Sequence, residues 1–158
     1  MADTKQFPKL KATSLLNEDH KKVKRLFAQF ETLQESDDAG LVGIYEKVDK
    51  ELRLHAQIEE EIFYPAVNNA QEEKAEGLVL EAREEHKIVK TLLDELSELE
   101  ADDPEFCAKM KVLKESVLHH SEEEEREIFP VFYTLDRSVQ DDVSERLNRR
   151  KRELSLDE

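Results

Sequence analysis

The chain has 158 residues, which suits one domain of a size that buries roughly two-thirds of its unfolded surface, so a real core is expected. With 39 acidic against 24 basic residues the net charge is −15, a field that repels nucleic acid and anionic membranes and tolerates cations. The opening MADTKQFPKL has no apolar export segment, no window approaches a membrane-spanning length, and the single Cys107 rules out an internal disulfide framework. The expectation is a cytoplasmic protein with neither a nucleic-acid nor a membrane partner.

Only 3 Gly and 4 Pro beside 40% charged residues point to long helices and few tight turns. Residues 1–12 read as an N-terminal extension, 13–134 as a helical bundle and 135–158 as a C-terminal amphipathic helix or tail. A first helix is expected over about Ser14–Glu35, with Thr13 or Ser14 as N-cap, before ESDDAG breaks it. A second runs from about Gly40 to Tyr64, where Pro65 and the NNA stretch end it. A third spans about Gln71–Leu99 and is closed by EADDPE. The fourth covers about Glu105–Phe129, with Pro130 ending or kinking it, and a shorter amphipathic tail carries Val139, Val143 and Leu147. Short links between long helices favour an all-α, up-down-up-down antiparallel four-helix bundle with a short C-terminal helix.

Each helix carries a heptad-like seam, and each seam contains a histidine where an apolar residue is expected. The seams are Leu16, His20, Val23, Phe27, Phe30; Val48, Leu52, His55, Glu59, Ile62; Val79, Ala82, His86, Val89, Leu93, Leu96; and Met110, Leu113, Val117, His120, Glu124. An internal repeat reinforces the register. LRLHAQIEEEIFYP (Leu52–Pro65) resembles VLHHSEEEEREIFP (Val117–Pro130), and alignment on the prolines pairs His55 with His120, Glu59 with Glu124 and Glu60 with Glu125. His and Glu four apart share a face, about 40° around and about 6 Å along the helix.

Four imidazoles and two carboxylates from four helices therefore converge. A lone histidine on an apolar stripe is more often a hydrogen-bonded core residue, and that reading holds for His20 or His86 taken singly. It fails for the group, since buried glutamates cost several kcal/mol unless a cation or a proton offsets them. Imidazole with carboxylate suits iron, and equally zinc or manganese. His119 lies about 100° round the helix from His120 and reads as peripheral; Glu122, Glu123 and Glu125 read as a solvated face. Phe63, Tyr64, Phe129 and Phe132 read as core or bundle-end packing, and Cys107 as structural. Ferritin-like bundles place a glutamate three residues before a histidine. Those positions hold Asn17, Leu52, Arg83, Ser116 and Val117, so that pattern is absent.

At these residues, over about Leu15–Pro130, the chain resembles the hemerythrin-like (HHE cation-binding) family, whose repeats carry a His and then a His-x-x-x-Glu motif. The resemblance implies an antiparallel four-helix bundle holding two non-heme iron ions in an oxo- or hydroxo-bridged centre. By position it implies that Glu59 and Glu124 bridge the irons, that His20 and His55 bind one, and that His86 and His120 bind the other. Oxygen-carrying hemerythrins have two histidines four apart on the third helix, whereas His86 has Ala82 and Lys90 at that distance. The fifth imidazole is missing, and Glu81, Glu85, a tyrosine such as Tyr64, or water are the candidates to replace it. The function expected is binding or sensing of a small oxidant (oxygen, peroxide or nitric oxide) or iron handling. The alternatives are a di-iron peroxidase or catalase-like enzyme, and a redox-inactive, metal-stabilised helical interaction module.

Overall fold

The computed structural model describes residues 10–33 and 37–156; most of the expected N-terminal extension, part of the ESDDAG break and the last two residues lie outside them. Among the described residues the chain is all helical: α1 (Ala12–Thr32), α2 (Asp38–Ile58), a π turn (Glu59–Phe63), α3 (Tyr64–Asn68), α4 (Ala75–Ser97), α5 (Pro104–Glu123), a second π turn (Glu124–Ile128), α6 (Phe129–Phe132) and α7 (Arg137–Leu156). The four-helix bundle is α1, α2–α3, α4 and α5–α6. The C-terminal helix α7 lies against α1, α2 and the first π turn. No helix among the described residues is long and apolar enough to cross a membrane.

Two helix ends are refined here. The second helix does not stop at Pro65 but runs on to Asn68, where the NNA stretch begins, and at Pro130, expected to end or kink the fourth, the helix continues to Phe132. Proline lacks an N–H, and its ring clashes with the carbonyl four residues back. The chain accommodates this by widening one turn: Tyr64 N–H bonds to Glu59 O, and Phe129 N–H to Glu124 O, each five residues back. The first helix also starts earlier than its candidate caps. Its N-cap is Lys11, with no side-chain bond, while α7 supplies the caps instead. Ser144 Oγ accepts from Ala12 N–H at 2.8 Å, and Asn148 Oδ1 accepts from Leu10 N–H at 3.3 Å. Thr13 is buried inside the helix and its hydroxyl meets that of Tyr133.

The seams pack as two separate apolar clusters. One gathers Leu16, Ile58, Phe63, Val67, Val79, Ile128, Phe132, Val143 and Leu147 at the proline-containing end; the other gathers Val23, Phe27, Val48, Leu52, Leu93, Phe106, Leu113 and Val117. Between them lies the histidine layer, since His20 sits one turn from Leu16 on one side and from Val23 on the other. Fully buried Leu, Val or Phe side chains contribute about 1.5–3 kcal/mol each, so these clusters hold the helices at the spacing that the polar layer requires. Because Leu147 is 0% exposed and Val139 is 39% exposed, α7 is anchored by one face. Leu147→Ala is expected to cost about 2–5 kcal/mol in denaturant unfolding, and Val139→Ala under about 0.5 kcal/mol.

Candidate metal centre

All six residues singled out by the seams meet in the polar layer. His55, His86 and His120 are buried, Glu59 and Glu124 are completely so, and the His20 side chain is 8% exposed. Each imidazole turns its Nδ1 edge outward onto a carboxylate. His55 Nδ1 meets Asp19 at 2.9 Å, His86 Nδ1 meets Glu60 at 3.0 Å, His120 Nδ1 meets Glu85 at 2.8 Å, and His20 Nδ1 meets Glu125 at 3.0 Å. These contacts close a ring around the bundle, because α1 supports the histidine of α2, the first π turn that of α4, α4 that of α5, and the second π turn that of α1. A carboxylate only accepts, so each Nδ1 carries hydrogen, which in the neutral imidazole leaves Nε2 as the lone-pair edge facing inward. Such outer carboxylates fix the tautomer and orientation of metal-binding imidazoles.

Inside the ring, like groups face each other. His20 and His55 approach Nε2 to Nε2 at 3.2 Å, and His86 and His120 do the same at 3.2 Å. Glu59 Oε1 lies 3.1 Å from His55 Nε2 and 3.2 Å from His86 Nε2. The two oxygens of Glu124 divide: Oε1 is 3.2 Å from His20 Nε2, and Oε2 is 3.4 Å from His120 Nε2. Despite these approaches, Glu59 Oε1, Glu59 Oε2 and Glu124 Oε1 are the buried side-chain atoms without a hydrogen-bond partner among the described residues. Facing Nε2 edges around orphaned, buried carboxylate oxygens are costly for a protein alone and are what cations or protons resolve. Within this layer, His20, His55, Glu59 and Glu124 could hold one ion, and Glu59, His86 and His120 another.

The charges agree with that fit. Burial opposes charging His120, but Glu124 and Glu85 outweigh it and carry the imidazole up to about 10; His55 and His86 are raised for the same reason by their own carboxylates. Contacts with His86 and Lys90 hold Glu60 down at about 2. A cation and a proton thus compete for the same Nε2 edges.

Tyr64, expected as packing and also as a candidate for the missing fifth ligand, reaches the layer as well as the core. It is fully buried, and its hydroxyl donates to Glu124 Oε2 at 2.6 Å while lying 3.2 Å from His86 Nε2 and 3.4 Å from His120 Nε2. Burial, followed by the charges of Glu124 and Glu59, pushes its phenol well above the ordinary value. The π turn puts it there: at 3.6 residues per turn, residues 59 and 64 stand about 140° apart, whereas an i to i−5 bond stacks them. The repeat places Phe129 at the matching position beside His20, ring to ring at 6.3 Å, so one half of the layer has a hydroxyl and the other a phenyl. Phe63 and Phe132 pack at the bundle end as expected, 5.0 Å apart.

Four supporting carboxylates were not singled out from sequence as supports. Asp19, Glu60, Glu85 and Glu125 are each the chain neighbour of a layer residue, which is the signal that was available. Asp19 also receives Lys151 from α7. His119 stays at the surface, 65% exposed, and Cys107 is half-buried.

Comparison with known proteins agrees with this architecture. Residues 11–132 match the family model described as the hemerythrin HHE cation binding domain, and the chain belongs to that family. A DNA nickase from Nostoc sp. is 33% identical over 112 residues, which are 70% of this chain; the chain spans only 30% of that relative's length. The crystal structure of a hemerythrin HHE cation binding domain-containing protein from Mycobacterium kansasii gives a TM-score of 0.79 at 22% identity, covering 92% of this chain and 87% of that one. At that identity the likeness speaks for the fold.

Proposed function

We propose that the chain is a non-heme di-iron protein in which Glu59 and Glu124 bridge two ions, His20 and His55 bind one, and His86 and His120 bind the other, with Tyr64 in place of the missing fifth imidazole. The observation that carries this reading is the facing Nε2 pairs around carboxylate oxygens that have no hydrogen-bond donor. Iron in such a donor set supplies Lewis-acid and redox chemistry toward a small oxidant. The residues then set three conditions. The outer carboxylates hold the imidazoles in the ligating tautomer. The two apolar clusters exclude water from above and below. Phe129, at the repeat position matching Tyr64 and beside His20, offers no donor, so an ion held by His20 and His55 would lack a counterpart to the phenol.

The size of the adjoining space supports a small ligand. A cavity of about 30 Å³ touches His55, His86 and His120 and is walled by Leu52, Ala56, Val89, Leu93 and Val117. One water needs roughly 10–15 Å³, so this space suits oxygen, peroxide or nitric oxide and excludes larger substrates. DNA nicking does not enter the reading, because the match spans only 30% of the relative that carries the name and the net charge of −15 opposes phosphate binding.

The test is spectroscopic. Tyr64→Phe should retain iron but lose the visible charge-transfer band of an iron-bound phenolate that the unaltered protein is expected to show on oxidation. If the two proteins have the same spectrum, Tyr64 is a hydrogen-bonding residue only. Addition of peroxide separates binding from turnover, since steady oxygen release marks an enzyme and a stoichiometric spectral change marks a binder or sensor.

A further inference from the structure

We propose that Lys151 of α7 is a positioning residue of the metal centre: paired with Asp19, it shares the charge of the carboxylate behind His55 and thereby weakens the hold on the His20–His55 ion. The inference rests on the reading of the buried layer as a metal centre. Lys151 stands outside residues 11–132, so the family match does not cover it. Helical periodicity brings it to the layer. Ser144, Leu147, Asn148 and Lys151 fall at i, i+3, i+4 and i+7, one face of α7. The first three dock that face: Ser144 and Asn148 accept from the backbone N–H groups at the start of α1, and Leu147 is completely buried. Lys151 follows about one turn later and meets Asp19, about two turns into α1.

Asp19 is engaged on both sides. Its Oδ1 accepts from Lys151 Nζ at 2.5 Å and its Oδ2 from His55 Nδ1 at 2.9 Å. At 3% exposure the Asp19 side chain has almost no water to screen it, so its charge is divided between an ammonium and an imidazole. A carboxylate behind a ligating imidazole makes that imidazole the stronger base, and an ammonium on the same carboxylate takes part of the effect away. The other three supports differ. Glu60 behind His86 meets Lys90 at 3.1 Å, but it is 25% exposed and water screens the pair. Among the described residues, Glu125 behind His20 and Glu85 behind His120 have no lysine or arginine partner. Lys151 is thus the cation placed to act on a histidine of the layer through a buried carboxylate. Its charge also disfavours the more highly charged state of an ion nearby.

Two titrations of the full chain test this. Reductive titration of the iron-loaded protein, followed by visible absorption, gives the midpoint potential. Titration of the metal-free protein with cobalt(II) against a chelating indicator gives the affinity for each ion. Lys151→Gln keeps a hydrogen-bond donor for Asp19 and removes the charge, whereas Lys151→Arg keeps both. Arg150→Gln removes one positive charge from the neighbouring residue, whose partner Glu61 bonds Gln57 rather than a histidine. Lys151→Gln is expected to lower the midpoint potential and to bind one of its two cobalt ions about tenfold more tightly, the effect of losing a nearby cation at moderate effective dielectric. Lys151→Arg should restore both values. Arg150→Gln should leave the potential in place and the affinities within about twofold, since it breaks an exposed ion pair. If Lys151→Gln keeps the potential and affinities of the unaltered protein, the inference is overturned. An equal shift from Arg150→Gln also overturns it, because net charge or a loosened α7 would then be the cause. Weaker cobalt binding by Lys151→Gln does so too, since Lys151 would then only hold Asp19 in place. In these three cases the two-ion centre stands. A chain that binds neither iron nor cobalt overturns the centre and this inference together.

Discussion

Glu59→Ala and Glu124→Ala are each expected to take up little metal, while His119→Ala purified alongside them should hold as much as the unaltered protein. The asymmetry follows from position. Glu59 presents one oxygen to His55 and His86 together, and Glu124 presents one oxygen to each half of the layer, so removing either carboxylate withdraws a donor from both proposed ions. Loss of an outer supporting group costs roughly 10–100-fold in metal affinity, and loss of a shared ligand exceeds that. His119, with its side chain 65% exposed, faces Glu123 and Glu85 instead. Glu59→Gln separates ligation from folding: the amide keeps the volume and removes the buried charge, so the metal-free variant should melt no lower than the metal-free unaltered chain. Metal content by elemental mass spectrometry, read with melting curves, checks both statements. Equal metal loss from His119→Ala would contradict the register of the site.

Removing the metal should lower the melting temperature by on the order of 10 °C. A ligand present at 1,000 times its dissociation constant stabilises the folded state by about 4 kcal/mol, and at this chain length each kcal/mol moves the midpoint by about 2–4 °C. The local cause is the layer itself. Without a cation, two carboxylates at 0% exposure and paired Nε2 edges at 3.2 Å are left to be neutralised by protons. Because that layer separates the two apolar clusters, its loosening should reach both ends of the bundle. Scanning calorimetry before and after chelation, followed by re-addition of iron, provides the check. A metal-free form melting at the loaded temperature would place the metal somewhere else.

The seams made the bundle and its six inward residues legible, because a 4-3 spacing fixes which side chains face the core whatever the tertiary detail. Tyr64 stood in the sequence both as packing and as one of several candidates for the missing fifth ligand; regular helical periodicity turns it about 140° away from Glu59, and the extra residue of the π turn returns it. The same turns explain why Pro65 and Pro130 do not end their helices: a missing N–H and a ring clash are absorbed by a wider turn when tertiary packing continues past them. The start of α1 was misplaced because its caps come from α7, more than a hundred residues away, and no local motif announces that. The ring of Asp19, Glu60, Glu85 and Glu125 was hidden in a sequence rich in acidic residues. Adjacency to a layer residue marks each of them, but it takes the bundle geometry to show that each supports the histidine of the next helix.

The most direct test is the metal content of the full chain purified in air without added metal, read by elemental mass spectrometry. About two irons per chain is the result expected from two ions sharing Glu59 and Glu124. One zinc, or no metal, would contradict the account and leave the four histidines as hydrogen-bonded core residues.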